Sequence, residues 1–176
     1  MNNKRGLFRY LQKNGYVRDK NFTDYSNKTV CIDLSIFLHQ IFAKIPKFYL
    51  KILYFKIKKL LAAGIRPVFV LDRFSKYIWT YENLKSLFLK MGVPYLIAWN
   101  SADELCSRLI RENKAHAVMT EDFDLVLLLD NSPVLMKNDF KTSSLKEIKI
   151  RKSKIPAKFF WKRKKMKNES HIHRAE

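Results

Sequence analysis

Three carboxylates fall within four residues in the stretch MTEDFD, Met119 to Asp124. If the chain is extended there, Asp122 and Asp124 point to one face and Glu121 to the other. Taken alone, such a stretch is a turn, because acids after a strand commonly cap the next helix. Recurrence argues for more. Asp33 ends the run KTVCID (28–33), Asp72 ends RPVFVLD (66–72), and Asp103 follows VPYLIA by a few residues. Crowded carboxylates repel one another and their pKa values rise, and a hard divalent cation is the usual relief. Two such ions can activate a water and stabilise the leaving oxygen of a phosphodiester. Glu104 is a further candidate ligand, although Ser101 as N-cap with Glu104 three residues on also spells a capping box.

The elements that must carry these acids alternate. KTVCID reads as a strand and LSIFLHQIFAKIP as a helix that Pro46 breaks. KFYLKILYFKIKKLLAAG is a helix stopped by Gly64, RPVFVLD a buried strand, and WTYENLKSLFLKMG a helix stopped by Gly92. VPYLIA, AHAVMT, SPVLMK and LKEIKI (145–150) read as strands, with SADELCSRLIREN as a helix among them. Strands alternating with helices predict an α/β fold with a mostly parallel central sheet and helices on both faces. Such sheets place their sites beyond the C-terminal ends of the strands, where these acids stand. Residues 1–150 form the predicted domain. Residues 151–176 are dense in cations, with little periodicity, and are expected to be poorly ordered.

Of the 176 residues, 35 are Lys or Arg and 16 are Asp or Glu, a formal charge of +19. That balance favours a polyanion as partner, since each neutralised phosphate releases counterions. Biased composition, rich in Lys, Asn and Ile, accounts for part of it. The helix at FYLKILYFKIKKLLAAG is broken by lysines too often to span a bilayer, and MNNKRGLFRYLQK lacks a signal-peptide core. Cys31 and Cys106 lie in apolar segments without a CxxC, which reads as two buried thiols. The expectation is a soluble intracellular protein with no membrane contact.

Taken in order, these blocks resemble the flap endonuclease (xeroderma pigmentosum group G-like) family of structure-specific 5′ nucleases, related to PIN domains. VCIDLSIFLHQ resembles its first acidic block and GIRPVFVLD its second. MGVPYLIAWNSADELCSRLI resembles the block with a Glu-x-Glu pair, and AHAVMTEDFDLVLL with SPVLM resembles the fourth and its following strand. The match runs over roughly residues 4–150. The resemblance implies Mg²⁺ or Mn²⁺, as two ions, held by Asp33, Asp72, Asp103, Asp122 and Asp124, and cleavage of flap or branched DNA in replication or repair. An RNase of the broader PIN type, and a degenerate fold that binds without cutting, are the alternatives.

The departures are specific. The first acid of the Glu-x-Glu pair falls on Ser101. About twenty residues separate Asp72 from Gly92, too few for the family's helical arch, and a basic tail replaces its helix–two-turn–helix region. The base-stacking aromatic near the first acid falls on His39, which is otherwise a helix-surface residue. Lys76 and Lys85 either contact phosphate along the shortened segment or form a solvated helix face. In the tail, Phe159-Phe160 followed by cations resembles a sliding-clamp box, but Ser153 replaces its Gln and Pro156 its aliphatic residue. Lys162, Arg163, Lys164 and Lys165 form a KRKK run that suits nuclear import or phosphate binding.

Overall fold

The computed structural model describes residues 3–73, 77–139 and 142–160. Its centre is one seven-stranded sheet of order β1-β7-β6-β5-β2-β3-β4. The strands are β1 (Val17–Asn21), β2 (Thr29–Asp33), β3 (Arg66–Asp72), β4 (Tyr95–Ala98), β5 (Ala117–Met119), β6 (Val134–Asp139) and β7 (Ser144–Ile148). The block β6-β5-β2-β3-β4 is parallel throughout, while β7 runs antiparallel to both β6 and β1. The mostly parallel α/β expectation therefore holds, with a mixed edge. β1 carries no clear sequence pattern; the helix α1 (Asn3–Lys13) before it, not anticipated above, spaces Leu7 and Leu11 one turn apart on its buried face. VRDKN has only one aliphatic residue and forms a strand because β7 supplies a partner.

The helices lie on both faces. On one face α2 (Leu34–Lys44), α3 (Tyr49–Ala62) and α4 (Tyr81–Met91) bury Phe37, Leu53, Ile57, Leu60, Leu84 and Phe88 against Ile32, Phe69 and Met119. Phe69 and Phe88 stack with centroids 4.8 Å apart. On the other, α1, α5 (Ala102–Arg111) and α6 (Asp124–Leu128) bury Leu7, Leu11, Cys106, Ile110 and Leu125 against Cys31, Val70 and Val118. Strand residues alternate between these two cores, so each central strand is apolar on both faces. The stops at Gly64 and Gly92 hold: both have positive φ, 76° and 64°, which glycine adopts at no steric cost. At Gly64 a Cβ would also stand 2.4 Å from the Ser26 hydroxyl.

Packed structure continues past Ile150. Residues Lys152–Lys154 and Ala157–Phe159 form two 3₁₀ turns. Ile155 and Phe159 are buried beside Leu7 and Leu11, and the Tyr10 hydroxyl donates to the Lys154 carbonyl at 2.9 Å. This segment closes the α1 side of the core. Phe159 is 6% exposed, so the aromatic pair read as a clamp-binding box instead has its first ring sunk in the domain.

The candidate carboxylate site at the sheet switch point

Strands β2, β3 and β4 step one way across the sheet, and β5 and β6 step the other. The reversal lies between β2 and β5, which pair in parallel through Ile32 and Met119. At such a switch point the following helices depart to opposite faces and leave a crevice at the C-terminal strand ends. Asp33 ends β2, and Thr120 directly follows β5.

Asp33 is 4% exposed. One carboxylate oxygen accepts the Ser35 N–H at 3.2 Å, which caps α2, and the other accepts the Thr120 hydroxyl at 3.2 Å. The Thr120 hydroxyl in turn accepts the Asp122 N–H at 3.0 Å, and the Asp122 carboxylate accepts the Asp124 N–H at 3.1 Å. A continuous relay thus joins the first and last acidic blocks. Thr120 is buried and was not singled out from the sequence, because one threonine after a strand carries no pattern.

The relay overturns the extended reading of MTEDFD. Phe123 is helical (φ −70°, ψ −13°) and α6 begins at Asp124. The Asp122 side chain reaches the N–H two residues on, an Asx-type turn that competes with extended backbone. Glu121 leaves in another direction and accepts from the Gln40 amide of α2.

Register places Asp72 on the same sheet face as Asp33. Asp33 pairs with Val70, and Asp72 lies two residues further along β3, opposite Ala98. Asp103 stands in the first turn of α5, where the helix dipole favours an acid. A hydrogen bond to Cys31 and burial push the Cys106 thiol well above its ordinary value. The Asp33 and Asp103 carboxylates add to that push. Glu104 is exposed, and its N–H donates to the Ser101 hydroxyl at 3.2 Å, the N-cap reading.

All five aspartates thus stand at or just beyond the C-terminal edge of β2 to β5. Their donor type suits a hard, oxygen-seeking cation. Their arrangement does not yet: among the described residues, no three His, Cys, Asp or Glu side chains converge as an ion would require. Of the other expected residues, His39 is exposed on α2 with its Nδ1 2.9 Å from the Tyr77 hydroxyl, and Lys85 is exposed on α4. Lys76, Lys162, Arg163, Lys164 and Lys165 lie outside the described residues. No described helix is long and apolar enough to cross a membrane.

Two models of one family match in tandem. The XPG N-terminal domain matches residues 4–85 and the XPG I-region matches residues 92–175.

The chain belongs to the XPG family of nucleases.

A probable flap endonuclease 1 homolog of Danio rerio is 30% identical over 138 residues, 61% of this chain and 39% of that protein. Flap endonuclease 1 of Homo sapiens is 39% identical over 57 residues, 32% of this chain and 14% of that protein. The catalytic core of Rad2 in complex with DNA substrate superposes with TM-score 0.68 at 21% identity, over 87% of this chain and 54% of that one. The Holliday junction-resolving enzyme GEN1, in complex with product DNA, Mg²⁺ and Mn²⁺ ions, superposes with TM-score 0.66 at 20% identity, over 80% and 39%. At those identities the superpositions establish the fold. The chain spans less than half the length of the curated relatives it matches.

Proposed function

We propose that this XPG-family chain is a divalent-metal-dependent, structure-specific nuclease that hydrolyses phosphodiester bonds at flaps or branches in DNA. The observation that carries the reading is the Asp33–Thr120–Asp122–Asp124 relay at the switch point, with Asp72 and Asp103 at the same edge. Asp33, Asp72, Asp103, Asp122 and Asp124 are the residues that would hold Mg²⁺ or Mn²⁺. Bound there, the ions would activate a water and neutralise charge on the scissile phosphate. The chain's own part is orientation. Thr120 and the Ser35 N–H hold the Asp33 carboxylate in one rotamer, and the Asp124 N–H holds Asp122. Pre-set acceptors reduce the reorganisation needed when the ions and substrate arrive. The excess of cations keeps the polyanionic strand near an acidic edge that would otherwise repel it. The KRKK run at Lys162–Lys165 supports a nuclear location.

Labelled 5′-flap, nicked and single-stranded DNA, with single-stranded RNA in parallel, should be incubated with Mg²⁺ or Mn²⁺. Cutting of flap DNA that Asp122→Ala abolishes is the expected result. Cutting of RNA alone would mean a PIN-type RNase, and no cutting of any substrate would sink the catalytic reading.

A second reading is favoured by Ser101, which supplies a helix cap where the resemblance expects an acid. It is a nuclease fold that binds nucleic acid without cutting. Its mark is binding that weakens with salt and is indifferent to a chelator.

A further inference from the structure

Trp99 follows β4 directly and is 73% exposed, an unusual setting for the largest side chain. One face of its indole is taken by the Arg73 guanidinium, 4.0 Å from the ring centroid. Arg73 follows Asp72, and its N–H donates to the Ala98 carbonyl at 3.2 Å, so the stack is tied to the ends of β3 and β4. Beside the ring lies a groove of ≈ 130 Å³, walled by Trp99, Asn100, Ser101, Glu104, Arg108 and Arg111. That is a little less than the ~150 Å³ of a cavity that holds one benzene, so a base would lie along the groove against the indole rather than be enclosed by it.

The chemistry of the walls is that of a nucleotide site. Arg108 and Arg111 lie on the exposed face of α5 and line the groove; the Glu104 carboxylate accepts from the Asn100 amide at 3.2 Å, and Arg108 stands 3.9 Å from the exposed Glu112. Guanidinium groups pair with phosphate in a bidentate way, and an indole offers a π-face to any base. The cation–π contact holds the indole in place before a ligand arrives, which lowers the ordering cost of stacking.

We propose that the Arg73–Trp99 stack and the α5 groove bind one unpaired nucleotide of a single strand, base on Trp99 and phosphate on Arg108 and Arg111. The site lies at the β4 edge, beside the five aspartates, and would hold the strand as it passes Asp72 and Asp103. This proposal rests on the nucleic-acid reading of the acidic edge, but not on cleavage.

The test uses the full chain carrying Trp79→Phe and Trp161→Phe, so that Trp99 is the remaining indole, without metal. Oligo-dT, oligo-rU and an abasic oligomer of equal length, each carrying a fluorescein label, are titrated: label anisotropy gives the affinity of every variant, and indole quenching reports on the parent. Expected are quenching by dT or rU, and weaker binding of the abasic strand. Trp99→Ala should lose about tenfold or more in dT affinity, and Trp99→Phe should keep most of it. Arg108→Gln with Arg111→Gln should weaken dT and abasic strands alike. Equal affinity of Trp99→Ala and its parent for dT, with the abasic strand bound as well as dT, overturns the proposal and leaves the nuclease reading standing. Failure of the parent to bind any strand overturns the site and leaves cleavage of flap or branched DNA to its own assay. Binding that depends on Trp99 in a protein that never cuts supports the site and overturns only catalysis.

Discussion

The Thr120 hydroxyl donates to the Asp33 carboxylate at 3.2 Å, across 87 positions of sequence, and accepts the Asp122 N–H at 3.0 Å. One buried side chain therefore joins Asp33, at the end of β2, to Asp122, in the turn after β5.

Thr120→Val keeps the shape and removes both bonds. A buried carboxylate oxygen and a backbone N–H then lose their partner, at a cost of about 1–3 kcal/mol. Chemical denaturation should show a lower midpoint with unchanged slope, and Thr120→Ser should recover most of the loss. A Thr120→Val protein as stable as wild type would mean the relay adds nothing.

The metal reading is checked by thermal unfolding. Mg²⁺ should raise the melting temperature of the wild type, because a ligand of the folded state stabilises it by mass action. The Asp122→Ala/Asp124→Ala double mutant should show no rise. Equal shifts in both proteins would place any bound ion elsewhere.

Ser101→Asp separates two roles of one position. Aspartate caps a helix as well as serine does, so the N-cap bond to the Glu104 N–H is retained. It also restores a carboxylate near Asp103. The variant should match wild-type stability in chelator and show a larger Mg²⁺-induced rise. Ser101→Ala should lose about 1 kcal/mol in chelator and gain nothing from Mg²⁺ beyond the wild type.

His116 gives a pH dependence. Burial first, then the charges of Lys28 and Lys149, hold its pKa below the ordinary value of about 6.5. The unfolded chain therefore takes up this proton before the folded one does. No penalty exists above pH ~6.5, and stability falls as the pH drops from there through the lowered folded value. The effect is small, because the ring is partly solvated. His116→Gln should flatten that part of a melting-temperature profile between pH 8 and 5. A profile as steep as wild type would assign the slope to carboxylates.

Phe159→Ala tests whether the segment after Ile150 is structural. A buried phenylalanine truncated to alanine costs about 3–5 kcal/mol, which would lower the unfolding midpoint sharply. Phe160→Ala, at a half-buried ring, should cost less. Equal and negligible effects would show that the segment is dispensable to the fold.

Much of the fold was legible because its signals are local. Alternating apolar strands and amphipathic helices, bounded by stops such as Gly64 and Gly92 and by a start such as the Ser101 N-cap, spell α/β without reference to any distant residue. The acids were legible too, since Asp33 and Asp72 end their apolar runs and Asp122 and Asp124 stand together. Three things were not. VRDKN became β1 because β7 offers it a ladder of hydrogen bonds, a partner no local pattern encodes. Phe159 reads as one of two aromatic residues in a basic run, and its burial follows from Leu7 and Leu11 lying on the same face 150 residues earlier. MTEDFD left a turn and an extended run both open, and its backbone turns because the Asp122 carboxylate accepts the Asp124 N–H and the Thr120 hydroxyl donates to Asp33. Residue type and spacing determine which groups are available for chemistry. Strand order and register determine which of them meet, and those depend on long-range packing of apolar faces, so the neighbourhood of Asp33 and Thr120 exists only once β5 has inserted beside β2.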